Sequence, residues 1–274
     1  MRKKTKIETS AGPFDGIAED LACVVLARVE DLRDRRALAR TSKVWRAASK
    51  REDSLPADPT RLCAFARACR AHGRFEEAVA WWKRAAAKGV IYSAMYALGH
   101  AYLEGEGVER VDHAASFSWF LEAAEAGCAG SMLAVGIHYQ EGFGVEQNAS
   151  KAFEWILRGA NAGWPECMTV VGSLYMTGDG VERDDREAFC WFTRGAACDS
   201  ADAMVFLGTC YQAGHGTERD LHEAVIWFTR AADMGNDRAK QALQELDEAF
   251  TDYWFTDLGF TASLSLTDDW FSHH

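Results

Sequence analysis

Long apolar runs are missing from this 274-residue sequence. Its uninterrupted apolar stretches are far shorter than the roughly 18 residues that a membrane-spanning helix needs. The opening residues MRKKTKIETS are basic, but no apolar segment of the kind that directs secretion follows them. We therefore expect no membrane insertion, and we expect the protein in the cytoplasm, the nucleus or both.

Basic residues are scarce in most of the chain. Residues 1–60 contain 13 Lys and Arg against 10 Asp and Glu, whereas residues 61–274 contain 17 against 31. The net charge is thus +3 in the first part and −14 in the second. Nucleic-acid binding depends on Lys and Arg that neutralise phosphates, so the acidic part argues against such a partner. The difference in charge also predicts two modules.

Spacings typical of catalytic or metal sites are also missing. The eight histidines form no H-x-x-x-H pair, and the eight cysteines form no Cys-x-x-Cys pair. Gly-x-Gly occurs repeatedly, but it follows a helical pattern rather than a strand and lacks the third glycine of a dinucleotide site. We predict no enzyme activity, no cofactor and no metal, and we interpret the cysteines as reduced, mostly buried side chains.

The chain contains a repeat of 36 residues. Tryptophan recurs at this interval at positions 119, 155, 191 and 227, and Asp or Asn recurs at positions 112, 148, 184 and 220. Four copies lie near residues 91–127, 128–163, 164–199 and 200–235. A constant period of this length is typical of repeat proteins.

Each copy has the pattern of a helix, a glycine-rich loop and a second helix. In the first copy, Leu98, Gly99 and Tyr102 recur at helical spacing, and Gly105 and Gly107 then interrupt the pattern. We predict an all-α fold, a right-handed α-solenoid of helix pairs over residues 61–250. An N-terminal capping pair would occupy residues 65–89, and a C-terminal capping helix residues 236–250.

Three repeated features have structural interpretations. Glycine inside the first helix, at positions 99, 136, 172 and 208, costs about 1 kcal/mol relative to alanine, and we attribute it to close approach of the helix that carries the tryptophan. The tryptophans are interpreted as packing between repeats rather than an aromatic cage. The Asp and Asn series is interpreted as helix caps rather than metal ligands, because successive repeats lie about 10 Å apart.

The repeated residues LGHAYLEGEGVERVD, with Ala-rich stretches such as KAFEWILRGANAG, resemble the Sel-one-like repeat family, a relative of the tetratricopeptide repeat. The resemblance implies a concave superhelix that serves as an adaptor or scaffold for other proteins, without enzyme activity.

Helical geometry predicts a groove for an unknown protein or peptide partner along the first helices. The positions three before, one after and four after each glycine share one face, and they are Tyr96, His100, Leu103, Leu133, Ile137, Gln140, Thr169, Ser173, Met176, Val205, Thr209 and Gln212. Some of these side chains could instead pack against the next repeat.

Residues 17–50 resemble the F-box in the order of their apolar residues. Departures are Ala18, where proline is usual, and Arg35-Arg36, where leucines are common. The resemblance implies docking onto the Skp adaptor of a cullin-RING ubiquitin ligase, with the solenoid as substrate receptor, through Ile17, Leu21, Val25, Leu26, Leu38, Val44 and Trp45. The alternatives are a helical cap on the solenoid, or a scaffold that has no ligase link.

Three further segments complete the organisation. Residues 1–16 are expected to be a flexible N-terminus, and residues 51–60, which contain LPADP, a linker. Residues 251–274 form a tail with four Asp, six aromatic residues and no Lys or Arg. The tail is expected either to fold back over the last repeat or to serve as a linear motif.

Overall fold

The computed structural model describes residues 59–89 and 91–257, and it describes side chains as far as residue 248. The predicted flexible N-terminus, the F-box-like motif, most of the linker and residues 258–274 lie outside the described residues. Within them the chain forms eleven α-helices and no strand: α1 (Pro59–Ala71), α2 (Phe75–Ala87), α3 (Tyr92–Glu104), α4 (His113–Glu125), α5 (Ala129–Glu141), α6 (Ala149–Asn161), α7 (Pro165–Thr177), α8 (Asp185–Ala197), α9 (Ala201–Ala213), α10 (Leu221–Asp233) and α11 (Asp237–Asp257).

The prediction of an all-α fold built from helix pairs is confirmed. The four predicted copies correspond to the pairs α3–α4, α5–α6, α7–α8 and α9–α10, and α1–α2 forms the extra pair at the N-terminal side. The start of the first helix and the end of the last helix differ from the prediction. Helix α1 starts at Pro59, a residue that suits the first turn because its missing N–H has no partner there anyway. Helix α11 continues to Asp257, so the first residues of the predicted tail are helical.

The described helices belong to two compact units. Residues up to Cys128, with α1–α4, form one unit, and residues from Ala129, with α5–α11, form the other. The first unit is built on a cluster that contains Leu62, Trp82 and Leu98. The second has two clusters, one around Ile156 and Val171 and the other formed by Phe192, Leu207, Phe228 and their neighbours. Fully burying one such side chain stabilises a fold by about 1.5–3 kcal/mol.

Each glycine-rich loop is a left-handed turn closed by a backbone hydrogen bond. In the third copy, Gly178 and Gly180 have φ of 77° and 74°, values that glycine adopts without steric cost. The N–H of Asp184 then donates to the carbonyl of Tyr175 at 3.0 Å. The same hydrogen bond occurs in the other three copies. It runs from Asp112 to Tyr102 at 2.9 Å, from Asn148 to Tyr139 at 2.8 Å and from Asp220 to Tyr211 at 2.9 Å.

The residue that closes the loop also caps the second helix. The side chain of Asp184 accepts hydrogen bonds from the backbone N–H groups of Arg186 and Glu187. Equivalent caps are made by Asp112, Asn148 and Asp220. The capping interpretation of this series is therefore confirmed.

Glycine inside the first helix marks close contact with the second helix, as predicted. A Cβ on Gly172 would lie 2.5 Å from Cε1 of Phe192. The side chain that fills this space is not the repeated tryptophan but the residue that follows it. The equivalent contacts join Gly99 to Phe120, Gly136 to Ile156 and Gly208 to Phe228.

The second loop glycine brings neighbouring pairs together within each unit. A Cβ on Gly180 would overlap the backbone of Ala149, the first residue of α6, and a Cβ on Gly216 would overlap that of Asp185, the first residue of α8. In the first unit, Gly107 lies against the backbone of Phe75 in the same way. These loops therefore rest on the first turn of the preceding pair's second helix.

No helix within residues 59–89 and 91–257 combines the length and the apolar character that a membrane span requires.

We expect Gly172→Ala to lower the free energy of unfolding by about 1–3 kcal/mol, because Phe192 is fully buried and its ring has to shift. This loss would occur even though alanine favours a helix by about 1 kcal/mol over glycine. Urea unfolding followed by circular dichroism measures it. The double variant Gly172→Ala/Phe192→Leu should lose less than the sum of the single variants. A Gly172→Ala protein more stable than wild type would contradict the close contact.

Candidate partner-binding surface

A pocket of about 410 Å³ lies in the first unit, bordered by α1 and α3, the first helices of two consecutive pairs. Side chains from α1 and α3 recur at helical spacing along its two sides, and Trp82 of α2, which is only 4% exposed, lines it from the core. Its principal side chains are Arg67, Arg70, Trp82, Tyr96 and His100. A concave site that combines apolar surface with a few polar groups is suited to binding.

Some of the charged side chains at this pocket form ion pairs with each other, and Arg67 does not. Arg70 Nη2 lies 2.9 Å from Glu106 Oε2 and 3.5 Å from Glu104 Oε2, and His100 Nδ1 lies 3.4 Å from Glu104 Oε1. Arg67 is exposed and has no ion pair with any residue within 59–89 or 91–248. One arginine therefore remains available to a carboxylate.

The pocket contains two of the residues predicted for the partner groove, Tyr96 and His100. Arg67 and Arg70 were not among the predicted groove residues, because α1 lacks the internal glycine from which the groove positions are counted. A signal was present: residues 63, 67, 70 and 71 lie on one face of a helix.

In the second unit the predicted groove positions differ in burial: most are exposed or half-buried, and two are buried. Ile137 is 42% exposed. Half-buried positions in this unit are Leu133, Gln140, Ser173, Met176, Thr209 and Gln212, and Leu103 has the same burial in the first unit. Ile137 and the half-buried positions can reach a partner.

Thr169 and Val205 do not belong to this surface, which corrects the prediction at two positions. Thr169 is 7% exposed, and its hydroxyl lies 3.1 Å from the Pro165 carbonyl and 3.3 Å from Ser200 Oγ. Val205 is 5% exposed and belongs to the core cluster of Phe192 and Phe228. Both side chains are covered because the next element packs over this end of the helix.

The remaining row of the second unit is uncharged. Ser173 and Thr209 donate to the carbonyls of residues four positions earlier, at 3.2 and 3.0 Å, so their oxygens can still accept hydrogen bonds. Gln140 Nε2 donates to Asp179 Oδ2 at 3.3 Å. Apolar, hydroxyl and amide groups side by side can contact both the side chains and the peptide groups of a bound segment.

The repeated tryptophans pack against the repeat cores. Trp191 belongs to the core cluster of Ile156, and Trp227 packs against that of Phe228. An arginine three residues after the tryptophan covers its ring in three copies. The distance from the guanidinium carbon to the ring centroid is 4.1 Å for Arg158 and Trp155, 4.1 Å for Arg194 and Trp191, and 4.7 Å for Arg230 and Trp227. These cation–π pairs were not predicted, although the spacing Trp-x-x-Arg places both side chains on one helical face. An aromatic cage is therefore not formed here.

No group of three or more His, Cys, Asp or Glu side chains in the described part of the chain is arranged to hold a metal ion. The Asp and Asn series that could suggest ligands is engaged in capping instead.

Comparison with known proteins places the repeat among characterised folds. The family model described as Sel1 repeat matches residues 75–90, 93–128, 129–164, 165–200 and 201–236. A Sel1 repeat protein from Oxalobacter formigenes is 27% identical, with a TM-score of 0.65 over 79% of this chain and 90% of that chain. A protective antigen present in uropathogenic Escherichia coli strains, which displays an SLR fold, is 25% identical, with a TM-score of 0.65 over 86% of this chain. The match covers 52% of that antigen, so this chain spans about half of its length. No curated protein matches the sequence.

The cysteines of the repeat cores are poor nucleophiles. Burial, with a smaller contribution from Glu166, raises the pKa of the Cys167 thiol to about 12. Burial, with a smaller contribution from Asp185, raises the pKa of Cys210 to about 11. Because the thiolate is the reactive form, both side chains are held in the unreactive form near neutral pH.

We expect iodoacetamide near neutral pH to alkylate the exposed Cys190 and Cys198 well before Cys167 and Cys210. A pKa of about 12 leaves a thiolate fraction about a thousandfold smaller than a pKa of 9 does, in addition to the shielding by burial. Fragment-ion mass spectrometry assigns the modified positions, and the unfolded protein in denaturant should react at all four. Alkylation of Cys167 as fast as Cys190 in the folded protein would contradict the burial described here.

Proposed function

This chain belongs to the Sel1 repeat family of helical protein-binding scaffolds, and on that premise we propose that it is a non-catalytic adaptor that binds a partner along its first helices. The observation that carries the proposal is the uncharged row on α5, α7 and α9 of the second unit. The first unit has a pocket of its own between α1 and α3. Aligned side chains on stacked helices suit an extended segment of another protein.

Rigid support of this surface favours binding. The first helices are fixed by the glycine contacts and capped loops described above, so little conformational entropy is lost when a partner binds. Ile137 is the exposed apolar side chain of the row, and Gln140, Met176 and Gln212 are half-buried at the equivalent position of three successive first helices. An apolar anchor surrounded by polar groups is the usual composition of an energetically important contact.

We expect Ile137→Glu to reduce capture of the natural partner about tenfold or more, because a carboxylate would be buried unpaired at the anchor. Affinity purification from cells that express the protein, with quantitative mass spectrometry, measures the captured amount.

The matched control is Met234→Glu, which makes a similar replacement at a 51% exposed apolar residue between α10 and α11 that is not a member of the uncharged row. Proteins captured by wild type and Met234→Glu but lost from Ile137→Glu support the proposal. Equal capture by both variants would place the binding surface elsewhere.

We further propose that residues 17–50 dock onto the Skp adaptor, which would make the chain the substrate-recognition subunit of a cullin-RING ubiquitin ligase in the cytoplasm or nucleus. The support is the order of apolar residues in the F-box-like segment. The segment also ends at residue 50, nine residues before Pro59, where α1 begins, so it is a close neighbour of the first helix pair along the sequence. The repeats would then present the substrate.

We expect purified Skp adaptor to bind the full-length protein and not the double variant Leu21→Asp/Leu26→Asp, since an unpaired carboxylate in an apolar interface costs several kcal/mol. A pull-down measures this, with Ile137→Glu as the control that should still bind the adaptor. If the folded wild type does not bind, the ligase link is wrong, and a scaffold with residues 17–50 as a helical cap takes its place.

A further inference from the structure

We propose that the uncharged row on α5, α7 and α9 binds an extended basic segment of a partner protein, in which an aliphatic side chain contacts Ile137 and a Lys or Arg side chain pairs with Asp179. This inference rests on the proposed function and deepens it, because it assigns a class of partner to the same surface. The residues that carry it all belong to the second unit.

The polar side chains of the row mainly offer hydrogen-bond acceptors. The hydroxyl groups of Ser173 and Thr209 donate to carbonyls of their own helices, so their lone pairs remain for a partner. A carboxylate accepts but does not donate, so the Gln140 amide directs its Nε2 at Asp179, at 3.3 Å, and keeps its carbonyl oxygen for a partner. A segment that supplies donors therefore suits three of the four polar side chains of the row.

The helices that carry the row have acidic residues and no basic ones. Helices α5, α7 and α9 contain Glu141, Glu166 and Asp202, and no Lys or Arg. Residues 129–248 do contain nine Lys and Arg, but these lie on the second helices, in the loops and on α11: Lys151, Arg158, Arg183, Arg186, Arg194, Arg219, Arg230, Arg238 and Lys240. The first helices therefore contribute only negative charge, which attracts a basic partner.

The loops that follow these three helices are acidic as well. They carry six Asp and Glu against two Arg, and they are residues 142–148, 178–184 and 214–220. Both arginines are already engaged. Arg183 donates to the two carboxylate oxygens of Asp185 at 2.9 and 3.1 Å, and the Nε of Arg219 donates to the Gln212 carbonyl at 3.1 Å. The loops beside the row thus offer carboxylates to a partner rather than cations.

Asp179 is the carboxylate that the structure holds at the row itself. It is half-buried, and the hydrogen bond from Gln140 fixes one of its oxygens. The other oxygen can accept from the ammonium or guanidinium group of a partner, and hydrogen bonds between oppositely charged groups are stronger than neutral ones. An acidic partner side chain at this place would instead lie beside a like charge.

Apolar surface continues from this charged end along α5. Ile137 is 42% exposed and lies three residues before Gln140, and the half-buried Leu133 lies four residues before Ile137, so the three share one helical face. An aliphatic side chain of the partner can pack on Ile137. The hydrocarbon stems of Lys and Arg also cover apolar surface while their charged ends reach a carboxylate.

Selection from a random 12-residue peptide library displayed on phage, with the full-length protein as bait, tests the assignment. Enriched peptides should contain more Lys and Arg than Asp and Glu, together with at least one aliphatic residue. The most enriched peptide is then synthesised with a fluorescent label, and its Kd for the full-length protein is measured by fluorescence anisotropy.

Point variants make the test specific to the row. Asp179→Asn removes the charge but keeps an acceptor for Gln140, and it should raise the Kd about threefold. The matched control Glu154→Gln removes a charge from an exposed residue of α6 and should leave the Kd unchanged. Ile137→Ser should raise the Kd about tenfold without altering the charge of the surface. Circular dichroism confirms that the variants fold.

Enrichment of acidic or uncharged peptides, no enrichment at all, or a Kd that Asp179→Asn leaves unchanged would overturn the basic assignment. Acidic or uncharged peptides whose binding still depends on Ile137 would leave the proposed partner surface standing. Basic peptides that bind all variants equally, together with equal capture of the natural partner by Ile137→Glu and Met234→Glu, would remove both proposals.

Discussion

Close contact between the two helices of a pair depends on the glycine in the first helix, and much of the structure depends on that contact. Phe192 occupies the space that a side chain on residue 172 would need, and the corresponding contact recurs in the other three glycine-containing pairs. Because the helices approach this closely, the large side chain that follows each tryptophan on the second helix is buried completely. The intrinsic preference of a helix for alanine over glycine is weaker than this packing.

The loops convert a pair of helices into a repeat that can be stacked. The residue after each loop satisfies backbone groups on both sides, since its N–H donates to the tyrosine carbonyl while its side chain accepts from the next helix. Within each unit, the second loop glycine allows the loop to rest on the preceding second helix. These backbone groups of the connections are thus paired locally, which leaves the partly exposed side chains of the first helices available for recognition.

The distribution of charge bears on the kind of partner that this surface suits. The repeat-containing part of the chain is acidic, yet its row on α5, α7 and α9 is uncharged, and the arginines over the tryptophans shield rings on the second helices instead. In the pocket of the first unit, Arg67 and Arg70 lie beside the aromatic side chains of Trp82 and Tyr96.

The sequence by itself determined the repeat, the helix pairs, the caps and the packing role of the tryptophans, because these follow from period, local hydrogen bonding and helical spacing. Only the tertiary structure decided which side chain fills the space beside each glycine, and that Thr169 and Val205 are covered while Ile137 is exposed. It also brought Arg67 and Arg70 beside Tyr96 and His100. These outcomes depend on neighbours distant in sequence, whose approach a helical pattern along one segment does not encode.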